Sequence, residues 1–227
     1  MARHKLARLT GLVYLLVVLA GPFTLLYVPG KLYVRGDASA TAANILAFQP
    51  LFQAKIIVSI VSEFAFVATV LMLYQLLKDV SRPLATAMVV IILLDAPLAF
   101  LGVANEAATL AFLRGGEFLA VFDKPQRDAL ATLLMSVDRA SVPISEVFWG
   151  LWLLPLGVLV YRSRFLPRFL GAWLFVNGLA YLALSVTGLV WPQHAKALMS
   201  ALTPVLLGEM ALMLWLLIKG AKEPSGH

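Results

Sequence analysis

Glu63, Asp95, Glu146 and Glu209 each fall near the middle of a separate long apolar run. At that depth in a membrane a charged side chain costs roughly 2.5 to 3.5 kcal/mol on insertion scales. Four ionised, unpaired carboxylates would therefore cost on the order of 10 kcal/mol, which matches the whole stability of a typical domain. Such a chain must protonate these groups, pair them, or use them on a proton, a cation or a polar ligand. The basic residues at similar depth are only Lys55 and Arg139, both toward the outer half, and they stand against Glu63, Asp95, Glu106, Asp138, Glu146 and Glu209. Pairing neutralises two at most. Desolvation and mutual repulsion then leave several of the remaining acids holding protons at neutral pH, with Lys55 and Arg139 tuning their proton affinity. The chemistry expected is reversible binding of a proton, or of a cation in its place.

Spacing adds polar partners to the acids. Lys55, Ser59 and Glu63 recur every four residues, as do Asn177, Tyr181 and Ser185, so each set forms one stripe on a helix. Arg139 and Glu146 are seven apart on one face, and Asp95, Gly102 and Glu106 lie along another. Polar stripes on lipid-spanning helices face the interior, where their plainest role is interhelical hydrogen bonding. Pro97, Pro143 and Pro204 sit close to Asp95, Glu146 and Glu209, and each frees a backbone carbonyl nearby. Broken helices beside buried acids are how transporters build cation sites. The expected site is therefore Glu63, Glu146, Glu209 and Asp95, assisted by Asn177 and Tyr181.

Competing chemistries find less support. The sequence has no HExxH, no GxSxG and no glycine-rich phosphate loop, and Gly115-Gly116 reads only as a turn. Cysteine is absent, which excludes disulfides, thiolate metal sites and thiol redox chemistry. The imidazoles are His4, His194 and His227, none at membrane depth, so haem ligation and histidine-rich metal centres find no ligands. No cofactor and no catalytic residue is expected; the metal is left open, and a buried hard cation would need oxygen ligands. Two alternatives stay beside binding or transport. One is an intramembrane enzyme that uses paired carboxylates on a lipid, and the other is a non-catalytic subunit or sensor whose acids meet a partner's bases.

Positioning these residues requires membrane-spanning helices. Of 227 residues, 61% are apolar and 13% charged, and the mean hydropathy is +0.90, which describes a chain whose solvent is mostly lipid. Apolar runs at 9–28, 51–77, 84–113, 130–161, 169–190 and 197–218 predict an all-α bundle of six transmembrane helices in a single membrane domain. Arg3, Lys5 and Arg8 precede the first run, but the small-residue site Ala38-Ser39-Ala40 lies about ten residues beyond it, so the run reads as an uncleaved helix. Lys78, Arg82, Arg162, Arg164, Arg168, Lys219 and Lys222 collect on the same side as the N-terminal bases, which predicts cytoplasmic termini and a cytoplasmic membrane location. The net charge of +6 is explained by those helix ends and argues against nucleic acid. The outer connections 29–50 and 114–129 carry N-cap residues Asp37 and Asp123, with Pro125 suited to a first turn, and predict short amphipathic helices at the outer surface.

Taken in pairs, the helices show an echo: Ser62-Glu63, Ser145-Glu146 and Gly208-Glu209 each place a glutamate after a small residue, and Gly11-Leu-Val-Tyr14 parallels Gly178-Leu-Ala-Tyr181. A parallel hairpin repeat would gather the three glutamates about one axis. The segments Ala7-Arg8-Leu9-Thr10-Gly11-Leu, Val34-Arg35-Gly36-Asp37-Ala38 with Ala42-Ala43-Asn44-Ile45-Leu46, Tyr161-Arg162-Ser163-Arg164-Phe165-Leu166-Pro167, and Gly208-Glu209 with Leu214-Trp215-Leu216-Leu217-Ile218-Lys219-Gly220 appear in an order that resembles one family. These are the bacterial integral membrane proteins grouped as domain of unknown function 4386. The resemblance covers nearly the whole chain and implies a six-helix membrane domain without an established activity. It also implies acids at Glu63, Glu146 and Glu209, and apolar residues where this chain has Asp95 and Glu106.

Overall fold

The computed structural model describes residues 2–222, apart from the side chain of Phe118; His227 lies outside the described residues. The chain is all-helical, 87% helix, with no strand among the described residues. Six helical stretches are long and apolar enough to cross a membrane: Arg3–Leu32, Gln49–Leu77, Arg82–Arg114, Lys124–Arg162, Arg168–Val190 and Pro192–Ile218. Their surfaces carry large exposed apolar side chains such as Leu19, Leu94 and Ile218, a lipid-facing pattern that water would penalise.

The first stretch starts as α1 (Arg3–Gly21), loosens into a π-helical segment (Pro22–Tyr27) and closes as α2 (Val28–Leu32). The loosening begins where Pro22 removes a backbone donor, and Thr24 Oγ1 donates instead to the carbonyl of Ala20 at 3.0 Å. Helix α3 (Ala38–Ala47) is the short helix expected after Asp37, whose carboxylate accepts from the Ala40 N–H at 2.8 Å. Spans α4 (Gln49–Leu77) and α5 (Arg82–Arg114) follow.

Asp123 forms a reciprocal cap with Gln126, each side chain accepting the other's backbone N–H at 2.8 and 2.9 Å. The helix that begins there is not a separate surface helix. It runs on without interruption as α6 (Lys124–Arg162), 39 residues long, because between Pro125 and Pro143 nothing removes a backbone donor and the sequence is rich in Ala and Leu. Helix α7 (Arg168–Val190) is continuous, whereas the sixth stretch bends at Leu207 between α8 (Pro192–Leu206) and α9 (Gly208–Ile218). The carbonyls left open at the end of α8 are taken by α7 side chains: Trp173 Nε1 donates to Val205 O at 2.9 Å and Asn177 Nδ2 to Leu206 O at 3.3 Å.

These elements form two compact units. The first comprises residues up to Val18, Phe64–Pro97 and the chain from Val142 onward; the second comprises Leu19–Glu63 and Leu98–Ser141. In the first, Trp152, Tyr14, Leu73, Leu77, Met88 and Leu156 are fully buried. Close backbone contact holds its helices together. A Cβ on Gly150 would lie 2.7 Å from Gly178 O, and one on Gly157 would lie 2.8 Å from Gly171 O. Glycines seven apart on α6 thus meet glycines seven apart on α7, the small-residue packing that lipid-embedded helices favour. In the second unit Val28, Leu32, Ile45, Phe52, Leu110 and Met135 form the core.

Candidate functional site

Glu209 stands in the first turn of α9, where the helix N-terminus favours a carboxylate. Two tyrosines from different helices address it. Tyr14 of α1, fully buried, donates its hydroxyl to Glu209 Oε2 at 2.6 Å. Tyr181 of α7 lies close enough to the same carboxylate to interact with it electrostatically. Glycine makes the first contact geometrically available: a Cβ at Gly11, one turn before Tyr14, would collide with the backbone of Leu216 and Leu217 on α9. Gly178, one turn before Tyr181, lies against Gly150. The Gly-x-x-Tyr echo in the sequence therefore has a local meaning, a close helix approach followed one turn later by a hydroxyl aimed at the same acid.

Glu146 of α6 is buried and lies close enough to Tyr181 to interact with it electrostatically. On the same helix Ser145 Oγ and Trp149 Nε1 donate to the two oxygens of Asp95, at 2.9 and 3.0 Å. Asp95, 2% exposed, is thus held by two neutral donors spaced four residues apart. Trp149 also packs edge-on against Tyr181, with centroids 5.9 Å apart. Tyr14 and Phe66 pack likewise on Trp152. Asn177 is completely buried; its amide nitrogen is used on Leu206 O, and its Oδ1 has no hydrogen-bond donor among the described residues. Ser185 Oγ is buried without a partner in the same sense.

The first unit therefore brings together five of the expected residues: Glu209, Tyr181, Glu146, Asp95 and Asn177. Among the described residues the only ion pairs are Lys55–Glu106 and Lys124–Asp128, so Glu146, Glu209 and Asp95 have no basic side chain bound to them. Nor do three His, Asp or Glu side chains converge as metal ligands among the described residues.

Glu63, Lys55 and Arg139 belong to the second unit. Glu63 is partly buried on α4. Lys55 and Glu106 form a buried ion pair, in which Glu106 Oε2 keeps no hydrogen-bond donor among the described residues. Asp138 fits against α5 because Gly102 has no side chain; a Cβ there would come within 2.8 Å of Asp138 Oδ1. Arg139 is exposed, donates to Ser136 Oγ at 3.2 Å and lies over the Tyr33 ring, 5.5 Å from its centroid. Burial and the neighbouring Asp138 carboxylate push the Tyr33 phenol up to about 12, against the opposing pull of Arg139. Tyr14, Ser145 and Trp149 were not among the expected site residues. The repeated Gly-x-x-Tyr was the available signal for Tyr14, and Ser145 was visible only as the small residue before Glu146.

Residues 9–220 match the family model for the domain of unknown function DUF4386. The chain belongs to this family. Comparison with curated proteins and with solved structures finds no match. Every residue of the cluster described above lies within the DUF4386 match, so the tyrosine-held Glu209 and its aromatic surroundings are part of the family region and not of an added segment. The DUF4386 match and the six apolar stretches together make this a membrane protein.

Proposed function

We propose that this DUF4386 protein binds, and moves across the bacterial cytoplasmic membrane, a small cationic or polar molecule in a process linked to a proton or cation. The reading takes Glu209 and Glu146 as the ion-accepting groups, Tyr14 and Tyr181 as the hydroxyls that hold Glu209, and Asp95 and Asn177 as flanking polar positions. The reading rests on the first unit alone, since Glu63, Lys55 and Arg139 belong to the second, and in it both termini face the cytoplasm.

One observation carries it: Glu209 accepts the Tyr14 hydroxyl, has Tyr181 beside it, and meets no base among the described residues. A carboxylate in apolar surroundings without a counter-ion either carries a proton or recruits a cation. The rings of Tyr14, Trp152, Trp149 and Tyr181 favour an organic cation, whose charge is attracted to aromatic faces. A hard divalent ion is less well served, since it seeks six or more oxygen ligands.

The test is thermal stability of the purified protein across a panel of alkali cations, primary amines and quaternary amines, in wild type and Glu209→Gln. At least one cation or amine is expected to raise the wild-type melting temperature, with the rise lost in the variant; a ligand at a hundred times its Kd contributes about 2.7 kcal/mol. If no compound shifts the wild type while Glu209→Gln melts at the same or a higher temperature, the reading fails.

A further inference from the structure

Where the spans of the first unit end in basic residues, a cavity of about 510 Å³ is lined by His4, Arg164, Phe165, Trp215, Lys219 and Lys222, with no carboxylate in its wall among the described residues. We infer that this cavity is a headgroup site for an anionic phospholipid, whose phosphodiester it takes among Arg164, Lys219 and Lys222. The inference does not depend on the acidic cluster or its proposed function.

Three observations carry it. The first is charge. Arg164, Lys219 and Lys222 are exposed and make no ion pair among the described residues, so three cations face one concavity with no counter-charge from those residues. Basic pockets between span ends are suited to anionic headgroups. The second is construction. Arg164 has left-handed backbone, φ 60°, which a non-glycine residue adopts only against steric resistance, and it does so in the tight turn from α6 into α7. Opposite, Gly220 is also left-handed, φ 64°, and a Cβ there would come within 2.6 Å of His4 Nδ1. That glycine lets the α1 terminus cross the end of α9, where Arg8 Nε donates to Leu217 O at 3.1 Å. The cavity floor is thus fixed by backbone geometry. The third is continuity with lipid. Phe169, Leu214 and Ile218, on the two helices that flank the cavity, are 56%, 42% and 63% exposed, and Phe169 packs edge-on against Trp215 of the cavity wall. A headgroup in the cavity leaves its acyl chains along an apolar strip that is already lipid-facing. A soluble phosphate would make no use of that strip.

The experiment measures retention of dioctanoyl-phosphatidylglycerol by native mass spectrometry, and stabilisation by the same lipid in dodecylmaltoside. Dioctanoyl-phosphatidylcholine and inorganic phosphate at equal concentration are the comparison probes. Arg164→Gly combined with Lys219→Gln and Lys222→Gln removes the cations, and glycine at 164 relaxes the backbone, so the variant keeps its fold. Lys78→Gln with Arg82→Gln is the control for general loss of positive charge. Phosphatidylglycerol is expected to bind in preference to both other probes, about fivefold weaker for each cation removed and roughly a hundredfold weaker in the triple variant, and unchanged in the control. Equal retention of phosphatidylcholine, equal stabilisation by inorganic phosphate, or a triple variant within twofold of wild type would overturn the inference.

Discussion

Replacing Tyr14 by Phe removes one oxygen and little else. Tyr14 is 1% exposed and its ring keeps its edge-on contact with Trp152, so no cavity of consequence is created. What disappears is the 2.6 Å hydrogen bond to Glu209. Its worth depends on the state of the acid. Between neutral groups on membrane helices such a bond averages about 0.6 kcal/mol, whereas bonds to charged groups contribute about 1.5 to 3 kcal/mol. A length of 2.6 Å lies in the charge-assisted range for O–H···O⁻. The cycle of wild type, Tyr14→Phe, Glu209→Gln and the double variant, unfolded in mixed detergent micelles, isolates the pairwise part. A coupling of about 0.6 to 3 kcal/mol is expected, and its position in that range reports whether the carboxylate is charged. For a chain of this size Tyr14→Phe should lower the melting temperature by about 2 to 4 °C per kcal/mol lost. A coupling below about 0.3 kcal/mol would refute the claim that Tyr14 holds Glu209 in place.

Three further outcomes are expected. Gly178→Ala forces a Cβ within 2.8 Å of Gly150 O and should cost about 1 to 3 kcal/mol, whereas Gly21→Ala, with nothing within 4 Å, should be neutral or stabilising; paired thermal melts compare them. Lys55→Met leaves Glu106 buried without its counter-charge and should destabilise by about 3 to 5 kcal/mol, and adding Glu106→Leu should recover most of the loss; unfolding in mixed micelles reads both. Tyr33 in the folded protein should ionise near pH 12, against 10 for a free phenol, so the ultraviolet titration step that Tyr33→Phe removes should be a late one, and Asp138→Asn should bring it earlier. Because the folded value is the higher one, the contribution of Tyr33 to stability is complete below pH 10 and is lost as pH rises toward 12.

The six spans were legible because each is a long apolar run, and hydropathy reports that directly. Asp37 was legible as a cap for a local reason, a short acid before a run of alanines. The extent of α6 was not. A cap and a proline mark where a helix starts, and neither says how far it continues. Which acids meet is a matter of helix adjacency, which spacing along one helix does not encode. Thus Asp95 and Glu106 shared a stripe on one helix, yet Asp95 bonds Ser145 and Trp149 in the first unit while Glu106 pairs with Lys55 in the second. The glycines at 150, 157, 171 and 178 were open to reading as two matched sevens, but only their mutual contact shows them to be an interface.

The hydrogen bond between Tyr14 and Glu209 joins residues 195 positions apart, one in the first span and one in the sixth. A ribosome adding 5 to 20 residues per second needs roughly 10 to 40 s to make the second partner after the first. Tyr181 follows only late in that interval, shortly before Glu209 itself. The hydroxyl of Tyr14 must meanwhile be satisfied by water, lipid or a temporary neighbour. The acid at the centre of the cluster is therefore the last of its members to be made, and Tyr14 gains its partner only with the sixth span.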